Sequence, residues 1–92
     1  MATLSGQTTV AAAGTEVVLG TAAINGPLMV KALTTNSDLV YLGNVDDTVS
    51  SSTGLPLAAG DVAIFNQVGS LGEIYVDAAV NGEGVAWLAL EV

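Results

Sequence analysis

The sequence contains no histidine, no cysteine and no arginine, and its only lysine is Lys31. No imidazole can therefore transfer protons near neutral pH, and no thiolate can act as a nucleophile or bind zinc. No guanidinium can hold a phosphate in a bidentate pair. These absences exclude most side-chain chemistry. We expect a protein that acts by contact, has no cofactor and is not an enzyme.

Charged residues are also scarce. They make up 11% of the 92 residues, against about 25% in a typical soluble domain, and the formal net charge is −8. Such an acidic chain is repelled by nucleic acid and by anionic membrane surfaces, so neither is expected as a partner. The apolar runs are too short to span a bilayer. A small domain without disulfides gains stability from association, which favours a homo-oligomer.

What the sequence does contain is typical of β-structure, because valine, threonine and glycine are abundant and strand-like runs alternate with turn residues. We predict a single all-β domain over residues 6–92, with residues 1–5 as a flexible N-terminal arm. The predicted fold is a small antiparallel β-sandwich, either jelly-roll or immunoglobulin-like. About seven strands are expected, at residues 7–12, 15–19, 28–34, 39–43, 62–67, 73–78 and 84–91.

Turn residues predict how these strands connect. The first two strands are expected to form a hairpin around Ala13-Gly14, and Asn81-Gly82 predicts a tight hairpin between the last two. Asn25-Gly26-Pro27 predicts a break before the third strand. Pro56 is expected to lie near a sheet edge or in a turn, because proline cannot donate to a sheet ladder.

Several predicted strands are apolar on both faces, although a two-layer sandwich needs only one apolar face per sheet. Either loops cover the second face or it is an interface. We favour the interface, since large exposed apolar patches usually have a function. The candidate interface residues come from one face of the last strand and one face of the third: Val85, Trp87, Ala89, Met29, Lys31 and Leu33.

Other candidate sites are weaker. Asp46 and Asp47 lie near several serines and could bind calcium, but the glycine and distal glutamate of an EF-hand loop are missing, so a solvated loop is favoured. Two carboxylates among Glu73, Asp77 and Glu83 could act as a pair in acid–base hydrolysis. That chemistry needs a cleft that raises one pKa, and a domain this small offers little room for one. Lys31, as the only cation, either pairs with a carboxylate or is solvated.

Three groups of residues resemble short virion proteins encoded among the head genes of tailed bacteriophages. They are residues 30–33 with 35–36 and 40–44, then residues 57–61, and then residues 74–78 with 82–85. The resemblance covers roughly residues 6–90 and consists of strand and turn patterns, with no catalytic signature.

The resemblance implies a capsid decoration (cement) protein. Such a protein would bind the major capsid protein on the outside of the shell, often as a trimer, after synthesis in the host cytoplasm. It would stabilise the shell by bridging neighbouring capsid subunits. The alternative is a head-fibre or tail component that binds a receptor or carbohydrate, which predicts an exposed aromatic side chain such as Trp87 or Tyr41.

Overall fold

The computed structural model describes residues 4–44 and 49–89, which form two four-stranded antiparallel sheets packed face to face. The predicted all-β sandwich is confirmed, with eight strands in the described ranges. They are β1 (Leu4–Thr9), β2 (Val17–Val18), β3 (Ala23–Ala32), β4 (Val40–Asn44), β5 (Leu55–Leu57), β6 (Val62–Ser70), β7 (Ile74–Ala78) and β8 (Gly84–Ala89). A 3₁₀ turn, Leu71–Glu73, leads from β6 into β7.

The strand order identifies the type of sandwich. One sheet, here called the front sheet, has the order β1-β8-β3-β6, and the other, the back sheet, has the order β2-β7-β4-β5. Strands pair as β1 with β8, β2 with β7, β3 with β6 and β4 with β5. This is the pairing of one long hairpin folded over into two sheets. Of the two predicted alternatives, the structure is therefore the jelly roll.

The core lies between the sheets. In β3 the side chains alternate between exposed and buried over all ten residues, so that Leu28, Val30 and Ala32 face inward with 0% exposure. Val40 and Val76 of the back sheet are equally buried and face them. The two-residue period of a strand explains this pattern, because successive side chains point to opposite sides of a sheet.

Both predicted hairpins are wrong, because their strands lie in different sheets. β1 pairs with β8 and β2 with β7, while β7 and β8 belong to the back and front sheets respectively. The Asn81-Gly82 turn itself is present, and the Glu83 N–H donates to the Val80 carbonyl at 3.4 Å. Gly82 has a φ of 82°, but the φ of Asn81 is not positive. A type I′ hairpin turn needs positive φ at both central residues, so this turn is of another type. The strands on its two sides belong to different sheets, so it carries the chain from one sheet to the other.

Of the predictions made for the two prolines, one is wrong and one is confirmed. β3 continues through Pro27, so the predicted break is wrong. The β3–β6 register shifts on both sides of Gly26, whose φ is 146°, and proline is tolerated at such a bulge because no regular ladder bond is lost. Pro56 lies in β5, the edge strand of the back sheet, which confirms its predicted position.

The predicted N-terminal arm differs in part from the structure. Leu4 and Ser5 belong to β1, where they pair with Ala89 and Leu88 of β8. Residues 1–3, the rest of the predicted arm, lie outside the described residues.

Candidate interaction surface

Loops cover the outer side of the back sheet. Tyr41 and Asp77 are cross-strand neighbours that point away from the core, yet only 8% and 3% of their surfaces are exposed. Val49, from the β4–β5 connection, lies over Gly43 so closely that a Cβ there would collide with the valine side chain. The Gly14 N–H, from the β1–β2 connection, donates to the Asp77 carboxylate at 2.9 Å. For this sheet, loop cover explains the second apolar face.

The outer side of the front sheet is exposed instead. Ile64 is 65% exposed, and Val62, Met29 and Leu88 are 45%, 41% and 38% exposed. These side chains form two rows of cross-strand neighbours on β8, β3 and β6. We call the six residues of these rows the front face: Leu88, Met29 and Ile64 in one row, and Ala86, Lys31 and Val62 in the other.

Lys31 is the only charged side chain of the front face. Its cross-strand neighbours are Ala86 on one side and Val62 on the other. Within residues 4–44 and 49–89 it forms no ion pair with a carboxylate. No residue of the four front-sheet strands is acidic. The sheet therefore presents one positive charge in apolar surroundings, on a chain whose net charge is strongly negative.

The carboxylates of the described residues have a different role, because each of them accepts at least one backbone N–H in a loop, in a turn or, for Glu73, at the end of β6. Glu16 accepts from Val49 at 2.7 Å and so connects the β1–β2 and β4–β5 loops. The other acceptors are Asp38, Asp61, Glu73, Asp77 and Glu83. The few carboxylates therefore contribute to the fold by accepting backbone hydrogen bonds.

Glu83 has the most extensive set of these contacts. Its carboxylate accepts from the Ser37 N–H at 2.6 Å, from the Ser37 hydroxyl at 2.8 Å and from the Asp38 N–H at 3.2 Å. These donors, the Ser37 N–H foremost, lower the pKa of Glu83 below its ordinary value. Glu73 accepts from the Gly69 and Ser70 N–H groups, both at 3.1 Å. Glu73, Asp77 and Glu83 thus each hold a different segment of backbone, and the pKa of Glu83 is lowered, which is the opposite of what a general acid needs.

The predicted interface residues differ in burial: some lie on the exposed front face and others in the core. Met29 and Lys31 lie on the front face, and Leu33 is half-buried just after β3. Val85 and Ala89 are wrong as interface residues, because they are fully buried in the core. Ala86 and Leu88, from the opposite face of β8, belong to the front face instead.

Trp87 also points inward and is half-buried. Its indole N–H donates to the Thr8 hydroxyl at 3.3 Å, and its ring packs against Gly6, where a Cβ would lie 2.8 Å from the ring. The alternation in β8 separates the two faces, but only the pairing with β1 and β3 determines which face is inside. A large ring with one polar atom is best accommodated where it can pack and donate, and β1 supplies both contacts.

A cavity of about 390 Å³ opens at one end of the sandwich. The polar side chains at its rim already have partners: Gln67 donates to Asn25 at 3.1 Å, Glu73 accepts two N–H groups, and Asn44 is also bonded. The lining gives no indication of a particular ligand. It comprises Leu42, Gly43, Asn44, Leu55, Phe65, Gln67, Val68, Glu73 and Ile74.

Asp46 and Asp47, the candidate calcium ligands, lie outside the described residues. In the part of the chain that the structure describes, no three acidic side chains come together as a metal site. That same part contains no helix long and apolar enough to cross a membrane.

Comparison of the chain with protein-family models, with curated proteins and with solved structures gives no match. The function must therefore be inferred from the surface itself and from the residue patterns in the sequence.

Proposed function

We propose that this protein is a non-enzymatic structural protein of a tailed bacteriophage. In this proposal it decorates the capsid exterior and stabilises the shell by bridging neighbouring subunits of the major capsid protein. The observation that carries the docking role is the exposed apolar front face. The assignment to a phage capsid is supported by the strand and turn patterns that resemble virion proteins.

The front face is suited to docking on another protein. Fully burying an aliphatic side chain of this size contributes about 1.5–3 kcal/mol, and four such side chains are now between 38% and 65% exposed. The sheet fixes the backbone positions of these side chains in rows, so little backbone ordering opposes binding. Contiguous apolar surface of this kind is typical of interaction sites.

The size of the face favours binding by an oligomer. The front face lies on three strands of the front sheet, and even the whole four-stranded sheet presents a flat area on the order of 400 Å², below the roughly 800 Å² per partner of a standard interface. One copy would therefore bind weakly. A homo-oligomer, for which a trimer is favoured, would present several front faces together and gain affinity through multivalency.

The alternative, a receptor- or carbohydrate-binding module of a head fibre or tail, has less support. It requires an exposed aromatic side chain, but Tyr41 is buried and Trp87 points inward with its indole N–H bonded. Jelly rolls occur in both viral capsid and lectin domains, so the fold is compatible with either function. The state of the aromatic residues favours capsid decoration.

The proposal can be tested with shells assembled from the major capsid protein of the same genome, without this protein. Titration of the wild-type protein is expected to saturate at a fixed number of copies per shell. Because a ligand that binds only the assembled state stabilises it, saturated shells should also melt at a higher temperature than bare ones. Absence of saturable binding, together with specific retention on a glycan array, would support the alternative instead.

Substitution on the front face tests the proposed site. Ile64→Glu places a charge at the most exposed apolar position of the face, and we expect at least about 30-fold weaker binding to shells. Ala12→Glu, in the exposed β1–β2 loop, adds the same charge away from the face and should bind like wild type. Both variants should remain folded, since both positions are exposed. Equal binding by Ile64→Glu and wild type would contradict the proposal.

A further inference from the structure

We infer that the partner of the front face is a different protein that presents an apolar surface with one carboxylate, and that this carboxylate pairs with Lys31. The inference rests on the proposed docking function and specifies the chemistry of the partner. Its basis is the position of the only lysine, between Ala86 and Val62 in the second row of the face.

Covering the front face would remove water from the Lys31 ammonium group. An ammonium that loses its hydration without gaining a partner is strongly destabilising. No residue of the front-sheet strands is acidic, and within the described ranges Lys31 forms no ion pair. Because no carboxylate of the described residues supplies the compensating charge, we expect it to come from the partner. A carboxylate surrounded by apolar side chains is the complementary surface.

The front face of a second copy does not provide that surface. If two front faces met about a two-fold axis, the two Lys31 side chains would lie in the same interface, and no carboxylate of either front sheet could neutralise them. Each copy also carries a formal net charge of −8, so the two molecules repel each other overall. We therefore do not expect a homo-oligomer that pairs two front faces about a two-fold axis.

The test compares Lys31→Met with Ala12→Glu in the shell-binding titration. Each substitution makes the net charge one unit more negative, from −8 to −9. Lys31→Met keeps a long side chain but leaves the partner's carboxylate unpaired, so we expect about 30-fold weaker binding or more. Ala12→Glu is expected to bind like wild type. Lys31→Arg, which keeps the charge, should retain most of the affinity.

If Lys31 stays hydrated in the complex instead, Lys31→Met should not weaken binding to shells. The more apolar Lys31→Met variant would then bind as tightly as wild type or more tightly, and that result would overturn the inference while leaving the docking function intact. Failure of wild type to bind shells would overturn both together. Sedimentation velocity of the free protein tests the remaining possibility, that a second copy of this chain occupies the front face. If wild type formed an oligomer that Ile64→Glu dissociates, the front face would bind a second copy and the inference would be wrong.

Discussion

Asn36 is a buried residue in the turn between β3 and β4 that contacts the start of β8 through its side chain. Its Nδ2 donates to the Gly84 carbonyl at 2.9 Å, and the Gly84 N–H donates to its Oδ1 at 3.3 Å. A side chain at position 84 would collide with the Thr8 backbone, so β1 packs directly against this glycine. One amide side chain thus bonds both backbone groups of a buried glycine, whose carbonyl also accepts from the Leu33 N–H at 3.1 Å.

We predict that Asn36→Ala lowers the free energy of unfolding by about 2–3 kcal/mol. The substitution removes both hydrogen bonds and leaves the Gly84 N–H buried without its Asn36 partner, while the Gly84 carbonyl keeps the Leu33 N–H. A buried group that loses its partner is more destabilising than the bond itself is stabilising. Urea denaturation at neutral pH measures the change. Thr35→Ala, at the exposed neighbouring position, is the control and should change the free energy by less than about 0.5 kcal/mol. Equal stability of the two variants would contradict this role for Asn36.

At the scale of elements, the β4–β5 loop is the clearest case of a connection that acts as a packing element. Val49 is 1% exposed and lies on Gly43 of β4. Gly54, at the end of the same loop, lies against Tyr41, where a Cβ would come within 2.5 Å of the tyrosine side chain. These two glycines have no side chains so that the loop can lie directly on the sheet.

Gly43→Ala is predicted to destabilise the protein by about 1–3 kcal/mol, because the added methyl group must displace Val49 and overpacking of this kind strains the structure. Gly69→Ala in β6 is the matched control, since its Cβ would have only an ordinary contact at 3.6 Å with the Glu73 side chain. The control should lie within about 0.5 kcal/mol of wild type or be slightly more stable. Thermal unfolding of both variants measures the difference. A Gly43→Ala variant as stable as Gly69→Ala would show that Val49 does not pack there in solution.

Sequence patterns predicted the strands better than their partners. The runs that became β3, β4, β6, β7 and β8 were all recognisable, because alternation and turn residues are local signals. The pairing of β1 with β8 and of β2 with β7 was not, because it depends on packing between residues far apart in the chain. Asn81-Gly82 illustrates the limit: the pair correctly predicts a turn, but not which sheet the next strand joins.

The same limit applies to the candidate surface. Met29 and Lys31 could be assigned to an outer face because a lone lysine within an apolar strand points to solvent or to a charged partner. On β8 the choice between Val85, Trp87 and Ala89 and the opposite face needed the register with β3. The loop cover over the back sheet also could not be predicted, since Val49 gives no signal in the sequence that it lies on Gly43.

At the scale of the whole molecule, charge and apolar surface are separated. The carboxylates of the described residues lie in loops and turns or, for Asp77, on the covered side of the back sheet, while the front-sheet strands contain none. Other molecules that approach away from the front face therefore meet a negative surface. This distribution places the apolar rows of the front face apart from the carboxylates, and the net negative charge opposes non-specific association of a 51% hydrophobic chain.

The dependence of the fold on carboxylates predicts a loss of stability in acid. The pKa of Glu83 is lowered in the folded state, so its contribution is fully present above the unfolded-state pKa of about 4.5 and is lost as the pH falls through the lower folded-state value. We expect Glu83→Gln to be less stable than wild type near neutral pH, and the difference to narrow as the pH is lowered below about 4.

Urea denaturation over a series of pH values measures this narrowing. Thr35→Ala carries no titratable change, so its difference from wild type should stay constant across the series. A Glu83→Gln variant whose difference from wild type is equally constant would contradict the role of this carboxylate.

The pairing of β1 with β8 also determines the order of events during synthesis. β8 is the last of the eight strands to leave the ribosome, so β1 remains unpaired until the rest of the sandwich has been made. An unpaired strand edge can recruit other chains in that interval. Leu4 is the only large apolar residue of β1, and the other residues that it presents to β8 are glycine, serine, glutamine and threonine. β1, which stays unpaired until β8 has been synthesised, therefore presents little apolar surface for aggregation during that interval.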